Sequence, residues 1–527
     1  MTAGATLHVD ADVAIVGSGF AGALSALAIS RLGRSVAMIE RGSHPRFAIG
    51  ESSTPLANLL IEELADRYSL SWLRPFSKWG TWRRSHPEVA CGLKRGFTFF
   101  RHEPGRAFAD DERHLNQLLV AASPHDEIAD THWYRPDFDH FLVREAEREG
   151  AAYLDETTLD EARISGSGAV LEGRRFDRPV RVTARFVIDA SGPRGFLHRA
   201  LGLRETPMQW LPSTQALYTH FAGVERWDRV ASSDSEPPYP VDDAAVHHVF
   251  PGGWIWVLRF NNGITSAGAA VTDAVATSLR LADRDAAWDR LLAMLPSVRA
   301  QFAPARAILP FVHSPRLAFR CRTICGPGWA MLPSAAGVID PLLSTGFPLT
   351  LLGISRLLDI LERTWGRRER DDLLAGYAQQ TCAELDATER LVAALYASMS
   401  DFPVFKRLSL LYFAAASFSE TVYRLGRPDR ARGFLLCADP TFGDELRECS
   451  EAALRSPAGI DREDLLRRID RAIDPVDVAG LLDSGRRDWY PVRIDDLLAA
   501  KQKLGASDEE LQRLIERCRR ESPGLLT

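Results

Sequence analysis

The 527-residue chain is short of lysine, of long apolar runs and of any ordered cysteine pattern, and each shortage closes off a class of protein. Of its 64 basic residues, only Lys78, Lys94, Lys406, Lys501 and Lys503 are lysines, as a GC-rich genome would leave them. A net charge of −6 supplies no basic field, so neither nucleic acid nor an anionic membrane surface is an expected partner. No stretch reaches the roughly 18 apolar residues that span a bilayer. Phe405 to Tyr423 comes nearest, and its aromatic face suits a buried helix or a subunit contact, which leaves a homodimer open. The seven cysteines are odd in number and scattered, and Cys321 and Cys325 stand four apart rather than as CxxC; they read as reduced structural thiols, with no metal site. Met1 runs almost directly into an apolar strand, without the charged and apolar regions of a secretory signal, so the expected location is cytoplasmic. There is no internal repeat and no second dinucleotide motif. What remains, 46% hydrophobic and 25% charged, is an ordinary globular composition long enough for two or three domains.

What is present begins at Asp12. Val13 to Val16 form a short apolar run suited to a buried parallel strand, which empties into Gly17-Ser18-Gly19-Phe20-Ala21-Gly22 before an alanine- and leucine-rich helix. The first glycine permits a tight turn, the second lets backbone approach a pyrophosphate, and the third lets helix and strand pack closely, while the helix start offers unpaired N–H groups to phosphate. A second strand, Ser35 to Ile39, ends in Glu40, eighteen residues after Gly22, where a carboxylate can accept from a ribose diol. A glycine turn of purely structural use is the competing explanation.

Further along, Ile49-Gly50-Glu51-Ser52-Ser53-Thr54-Pro55 follows the loop carrying Arg41 and Arg46. It resembles the second flavin-contact segment of flavin-dependent halogenases and of geranylgeranyl reductases; Thr54 before Pro55 is also good helix-capping chemistry. Arg135 ahead of Phe138-Asp139 is similar to a flavin-monooxygenase segment, and Asp189-Ala190-Ser191-Gly192 to the halogenase and hydroxylase motif at a strand's carboxyl end. Trp254-Ile255-Trp256 resembles the halogenase WxWxIP, with Arg259 where proline is expected. Asp340-Pro341-Leu342-Leu343-Ser344-Thr345-Gly346-Phe347 resembles the last flavin segment, although Pro333-Ser334 replaces the family's Gly-Asp before it.

The resemblance to the flavin-dependent (tryptophan) halogenase family covers nearly the whole chain and carries several implications. The fold is α/β: a Rossmann-like FAD-binding domain of the glutathione-reductase and p-hydroxybenzoate-hydroxylase type, a mostly β substrate domain and a helical C-terminal region. The boundaries are residues 10–95, 130–203 and 320–365 for the FAD domain, 96–129 and 204–319 for the substrate domain, and 366–527 for the helical region. FAD contacts fall on Gly17, Ser18, Gly19, Phe20, Ala21, Gly22, Glu40, Arg41, Arg46, Ile49, Glu51, Ser52, Asp189, Gly192, Asp340, Gly346 and Phe347, halide on Thr345 and Gly346, and substrate on Trp254 and Trp256. The cofactor is FAD, supplied reduced by a separate flavin reductase and used with O2 and chloride or bromide. The catalytic lysine is Lys94, with Lys78 second. A buried ammonium can donate to hypochlorite, or become a chloramine once desolvation lowers its pKa, and arginine would serve poorly in either role. The activity implied is halogenation of an electron-rich aromatic, free or tethered to a carrier. Hydroxylation without halide, or reduction of prenyl chains, are the alternatives.

Overall fold

The computed structural model describes residues 5–231, 235–455 and 461–520, so Ser232 to Asp234, the start of a proline- and serine-rich loop, lie outside it. Strand β1 (Leu7–Val16) buries Val13 to Val16, as a strand covered on both faces must. Helix α1 (Phe20–Arg31) follows the glycine turn and is buried from Phe20 to Ile29, because Ala21, Gly22, Ala23 and Ala26 let it lie close to the sheet. Strand β2 (Val36–Ile39) pairs parallel with β1. The chain then leaves this sheet through helix α2 (Pro55–Arg67), opened by the Thr54 side chain accepting from the Ala57 N–H and by Pro55 in the first turn.

Residues 91–101 alternate like one strand but form two, β3 (Cys91–Lys94) and β4 (Gly96–Arg101). They part at Arg95, whose N–H donates to the Asp243 carbonyl and whose guanidinium pairs with Asp126. Strand β4 joins a second sheet with β5 (Gln117–Ala121), while β3 pairs antiparallel with β6 (Asp130–Trp133). Helix α3 (Arg135–Arg148) leads back to the first sheet through β7 (Ala152–Leu154), the hairpin β8 (Thr157–Ser165) and β9 (Gly168–Arg175), and β10 (Arg178–Asp189), which runs parallel to β1.

The core of the nine-stranded second sheet adds β11 (Thr214–Ala222), β12 (Ala245–Phe250), β13 (Gly253–Arg259) and β14 (Ile264–Thr272), in the order β11-β14-β13-β12-β4-β5. The chain returns once more with β15 (Trp329–Met331), so the parallel core of the first sheet reads β15-β10-β1-β2-β7. Helices α4 (Gly346–Thr364), α5 (Glu369–Ala397) and α6 (Phe402–Arg424) follow. The apolar Phe405–Tyr423 stretch lies in α6, where Phe405, Tyr412 and Phe413 pack edge-on against Phe97 and Phe99 of β4. Aromatic pairs of this kind contribute about 0.5–1.5 kcal/mol each beyond area burial. Among the described residues, no helix is long and apolar enough to cross a membrane.

Candidate active site

The register of the first sheet decides where a ligand can sit. Val16 is opposite both Ile39 and Asp189, and Asp189 is opposite Met331, so β1, β2, β10 and β15 end at one level. The turns that follow, Gly17 to Phe20, Glu40 to Gly42, Ala190 to Gly192 and Pro333 to Ser334, therefore share one edge, the usual ligand crevice of an open parallel sheet. They line a cavity of about 710 Å³, within the range of cofactor pockets. Its wall also takes Arg41, Arg46, Ile49, Glu51, Ser52, Asp340, Thr345, Gly346 and Phe347, together with Trp254 and Trp256 from the second sheet.

Convergence of the distant segments runs through Trp133. Its backbone N–H donates to the Glu51 carbonyl at 2.6 Å, and its ring stacks on Phe347 at 4.3 Å. Phe347 in turn meets Phe20 edge-on at 4.9 Å, so the GESS and STG turns lie on the same side of the molecule as the glycine turn.

The glycine turn fits a dinucleotide on its own geometry. Gly17 has φ +98°, and a Cβ there would stand 2.6 Å from the Ala190 carbonyl oxygen; a Cβ on Gly22 would stand 1.9 Å from that of Gly17. Gly22 thus packs inward while Gly17 and Gly19 face the cavity. Ser18 is fully buried and reaches Glu40 instead, its N–H and Oγ donating to Oε2 at 3.1 and 3.0 Å. Arg46 donates to the same oxygen at 3.1 Å and the Gly42 N–H to Oε1 at 3.2 Å. Burial pushes the Glu40 carboxyl up, but the Arg46 charge and the N–H donors of Ser18 and Gly42 hold it below the ordinary value, as an anion with acceptor capacity left on Oε1. Three buried polar atoms on the wall, Arg46 Nε, Glu51 Oε2 and Ser52 Oγ, have no hydrogen-bond partner, the signature of groups awaiting a polar ligand.

Several positioning residues were not singled out as site residues by sequence. Arg135 donates to both Asp139 oxygens and to the carbonyls of Ile49 and Gly50, and Asp139 accepts the Phe20 N–H, tying the GESS loop to the start of α1. His220 is 2.8 Å from Glu51 Oε1, with both side chains fully buried. Tyr396, from α5, donates to Asp340 Oδ2 at 2.9 Å and accepts from Trp254 Nε1 at 3.2 Å. Burial raises the Asp340 carboxyl to about 6 despite the Leu342 N–H and the Tyr396 hydroxyl. Leu343 and Ser344 hold left-handed φ of 67° and 55°, strained backbone immediately before Thr345 and the start of α4.

Asp189 does not reach the cavity wall. Its carboxylate accepts from the Ser191 N–H at 2.9 Å and the Leu197 N–H at 2.7 Å, closing the turn that carries Gly192. Arg259 likewise has a local task, donating to Asp242 at 3.1 Å and to the carbonyls of Val224 and Glu225. Pro333 is accommodated by Gly353 of α4, where a Cβ would stand 2.3 Å from the proline ring.

Lys94 is fully buried one layer behind the cavity. Its Nζ donates to the carbonyl of Ser53, the neighbour of wall residue Ser52, and lies 3.8 Å from the centroid of Phe97. The Phe97 ring stacks at 5.8 Å on His247, which stands with Trp254 on the cavity wall. Burial pushes the Lys94 amine down to about 7 against the pull of Asp130 across the strand pair. Burial likewise takes His132 and His247 down to about 3, so both rings are neutral. Lys78 lies apart from the wall, 3.7 Å from Glu62.

Comparison with known proteins gives one answer. The tryptophan halogenase family model matches residues 129–408, and the FAD binding domain model residues 12–66. Over 403 residues the chain is 31% identical to monodechloroaminopyrrolnitrin halogenase PrnC of Pseudomonas fluorescens, spanning 74% of this chain and 68% of that one. Tetracycline 7-halogenase of Kitasatospora aureofaciens is 26% identical over 433 residues, 79% of this chain and 75% of that one. In fold, the chain superposes on the crystal structure of halogenase PltM in complex with phloroglucinol and FAD with a TM-score of 0.79 at 22% identity, covering 90% of this chain and 99% of that one.

Proposed function

The chain belongs to the tryptophan halogenase family and is an FAD-dependent oxidoreductase, and from that premise we propose that it halogenates a free, electron-rich aromatic molecule with Lys94 as the halogen-holding group. Bound as reduced FAD, the cofactor supplies with O2 the oxidising equivalent that turns chloride or bromide into hypohalous acid. A separate reductase delivers the reduced flavin, and the reaction belongs to the cytoplasm. Gly17, Gly19, Phe20 and Ala21 receive the pyrophosphate, Glu40 the ribose, and the Ile49 to Ser52 and Asp340 to Phe347 turns the isoalloxazine, with halide at the N–H groups of Thr345 and Gly346.

Lys94 carries the selectivity. Its ammonium donates to the oxygen of hypohalous acid and aims the halogen at the substrate ring, while Phe97, Phe99, His247 and Trp254 exclude the water that would disperse the oxidant. Supporting this reading is the full burial of Lys94 against the Phe97 ring, directly behind the Ser52–Ser53 turn. The substrate class follows the two relatives, both named for a small molecule.

The test supplies FADH2 through a generic reductase and offers indoles, phenols and pyrroles with bromide. Mass spectra are expected to show a bromine isotope pair in the product; a gain of oxygen alone refutes halogenation. Lys94→Met is expected to abolish brominated product, and a variant that brominates like the wild type removes Lys94 from the mechanism.

A further inference from the structure

We propose that Asp130 is the positioning residue that holds the Lys94 amine in its ammonium form, a role that rests on the reading of Lys94 as the halogen-holding group. The antiparallel register of β3 and β6 sets Lys94 opposite Asp130, and both side chains are buried. Directly opposed residues in such a pair have Cα atoms about 4.5–5.5 Å apart, so their charges act on each other through a dry medium.

Each partner is otherwise poorly compensated. Lys94 has a carbonyl and an aromatic ring, Ser53 and Phe97. Asp130 accepts one hydrogen bond, from Asn58 Nδ2 to Oδ1 at 2.7 Å, and its Oδ2 has no partner. The charged and titratable groups facing the pair are few. His132 and His247 face Lys94 and are neutral, so they add no charge. Lys94, Arg424, Glu420 and the Tyr412 phenol face Asp130, and the two carboxylates and two cations oppose one another.

Two proton arrangements are open to such a pair: carboxylate with ammonium, or carboxylic acid with free amine. Burial raises the Asp130 carboxyl to about 7, level with the Lys94 amine, against the pull of Lys94 and of the Asn58 hydrogen bond. Asn58 presents an N–H donor to Asp130, which favours the carboxylate, and the Ser53 carbonyl binds an ammonium more strongly than a free amine, the weaker donor. Asp130 thus keeps a proton on a buried amine that would otherwise shed it.

The test is the pH dependence of brominated product per flavin reoxidised, for the wild type, Asp130→Asn, Asn58→Ala and Lys94→Met. In the wild type, product is expected to fall as rising pH removes the Lys94 proton. Asp130→Asn is expected to move that midpoint to lower pH by about one to two units, with yield recovering on the acid side. Asn58→Ala moves it the same way by less, and decides the matter alone if Asp130→Asn does not fold. A merely structural loosening lowers yield at every pH and leaves the midpoint in place. An unmoved midpoint in Asp130→Asn and Asn58→Ala, with Lys94→Met inactive, overturns the role of Asp130 while leaving that of Lys94. Bromination by Lys94→Met removes the reading of Lys94 and this inference with it.

Discussion

Alanine at Gly22 and Gly19 separates packing from ligand approach within one six-residue turn. Gly22 lies in α1, where alanine is the better helix former by up to about 1 kcal/mol, so propensity alone predicts stabilisation. The structure predicts the opposite sign. The new Cβ would stand 1.9 Å from the Gly17 oxygen and 3.0 Å from its carbonyl carbon, both backbone atoms of the β1–α1 turn. Reaching an ordinary 3.4 Å contact requires lifting the helix start by about 1.5 Å, and overpacking of this kind costs about 1–3 kcal/mol. The lifted α1 also misaligns the N–H groups facing the cavity, and about 2 kcal/mol lost there corresponds to roughly 30-fold weaker FAD binding. At Gly19 the nearest atom to an added Cβ is the Arg135 guanidinium nitrogen that donates to Asp139, at 3.2 Å, so this pair has to give by only a few tenths of an ångström. Gly19→Ala should therefore unfold within about 0.5 kcal/mol of the wild type while binding FAD at least about tenfold more weakly, because its Cβ intrudes on the cavity. Urea unfolding followed by tryptophan fluorescence, together with FAD titration, reads both quantities. Equal stability of Gly22→Ala and wild type, or equal damage at both positions, would refute the packing argument.

Two further outcomes follow from the same geometry. Arg259→Ala should lower the unfolding free energy by about 2 kcal/mol, because it releases Asp242 and two carbonyls from a partly exposed guanidinium; an unchanged urea midpoint would mean that the clamp contributes nothing. Acid should destabilise the protein through its buried histidines. His132, His247 and His248 are pushed down to about 3 by burial, so between the ordinary value of 6.5 and that point the unfolded chain binds protons that the native one refuses. Their stabilisation is complete above pH 6.5 and lost as pH falls, by about 1.4 kcal/mol per unit for each ring. His248→Gln should flatten the stability–pH slope below pH 6.5 by about that amount, and parallel slopes would contradict it.

Short-range contacts explain what was legible in the chain. Strand, turn and helix are contiguous from Val13 to Ile29, so the motif could place Gly17, Gly19 and Phe20 on a cavity wall, whereas Ser18 and Gly22, read with them as contacts, turn inward to Glu40 and to the Gly17 carbonyl. Glu51, Ser52, Thr345 and Gly346 came instead from the family resemblance of their segments, and all four line the cavity. Lys94 was visible only through the family resemblance of the run from Gly92 to Phe100, and its burial is a result of the fold.

What spacing could not supply were the partners. Asp130 is set against Lys94 only because β3 pairs with β6 and not with β4, a choice made where Arg95 sends the chain to a second sheet. Asp189 has the sequence of a ligand contact, but the chain doubles back at Leu197 and takes up its carboxylate. Arg259 looks like a lost motif residue until the 224–225 loop is seen folded onto it, and nothing in the periodicity of a 29-residue helix marks Tyr396 as the phenol that reaches Asp340. Backbone turns and capping are settled within a few residues, so composition and spacing determine them. The charge state of a buried group depends on which strands and helices become neighbours, and that only the assembled tertiary structure decides.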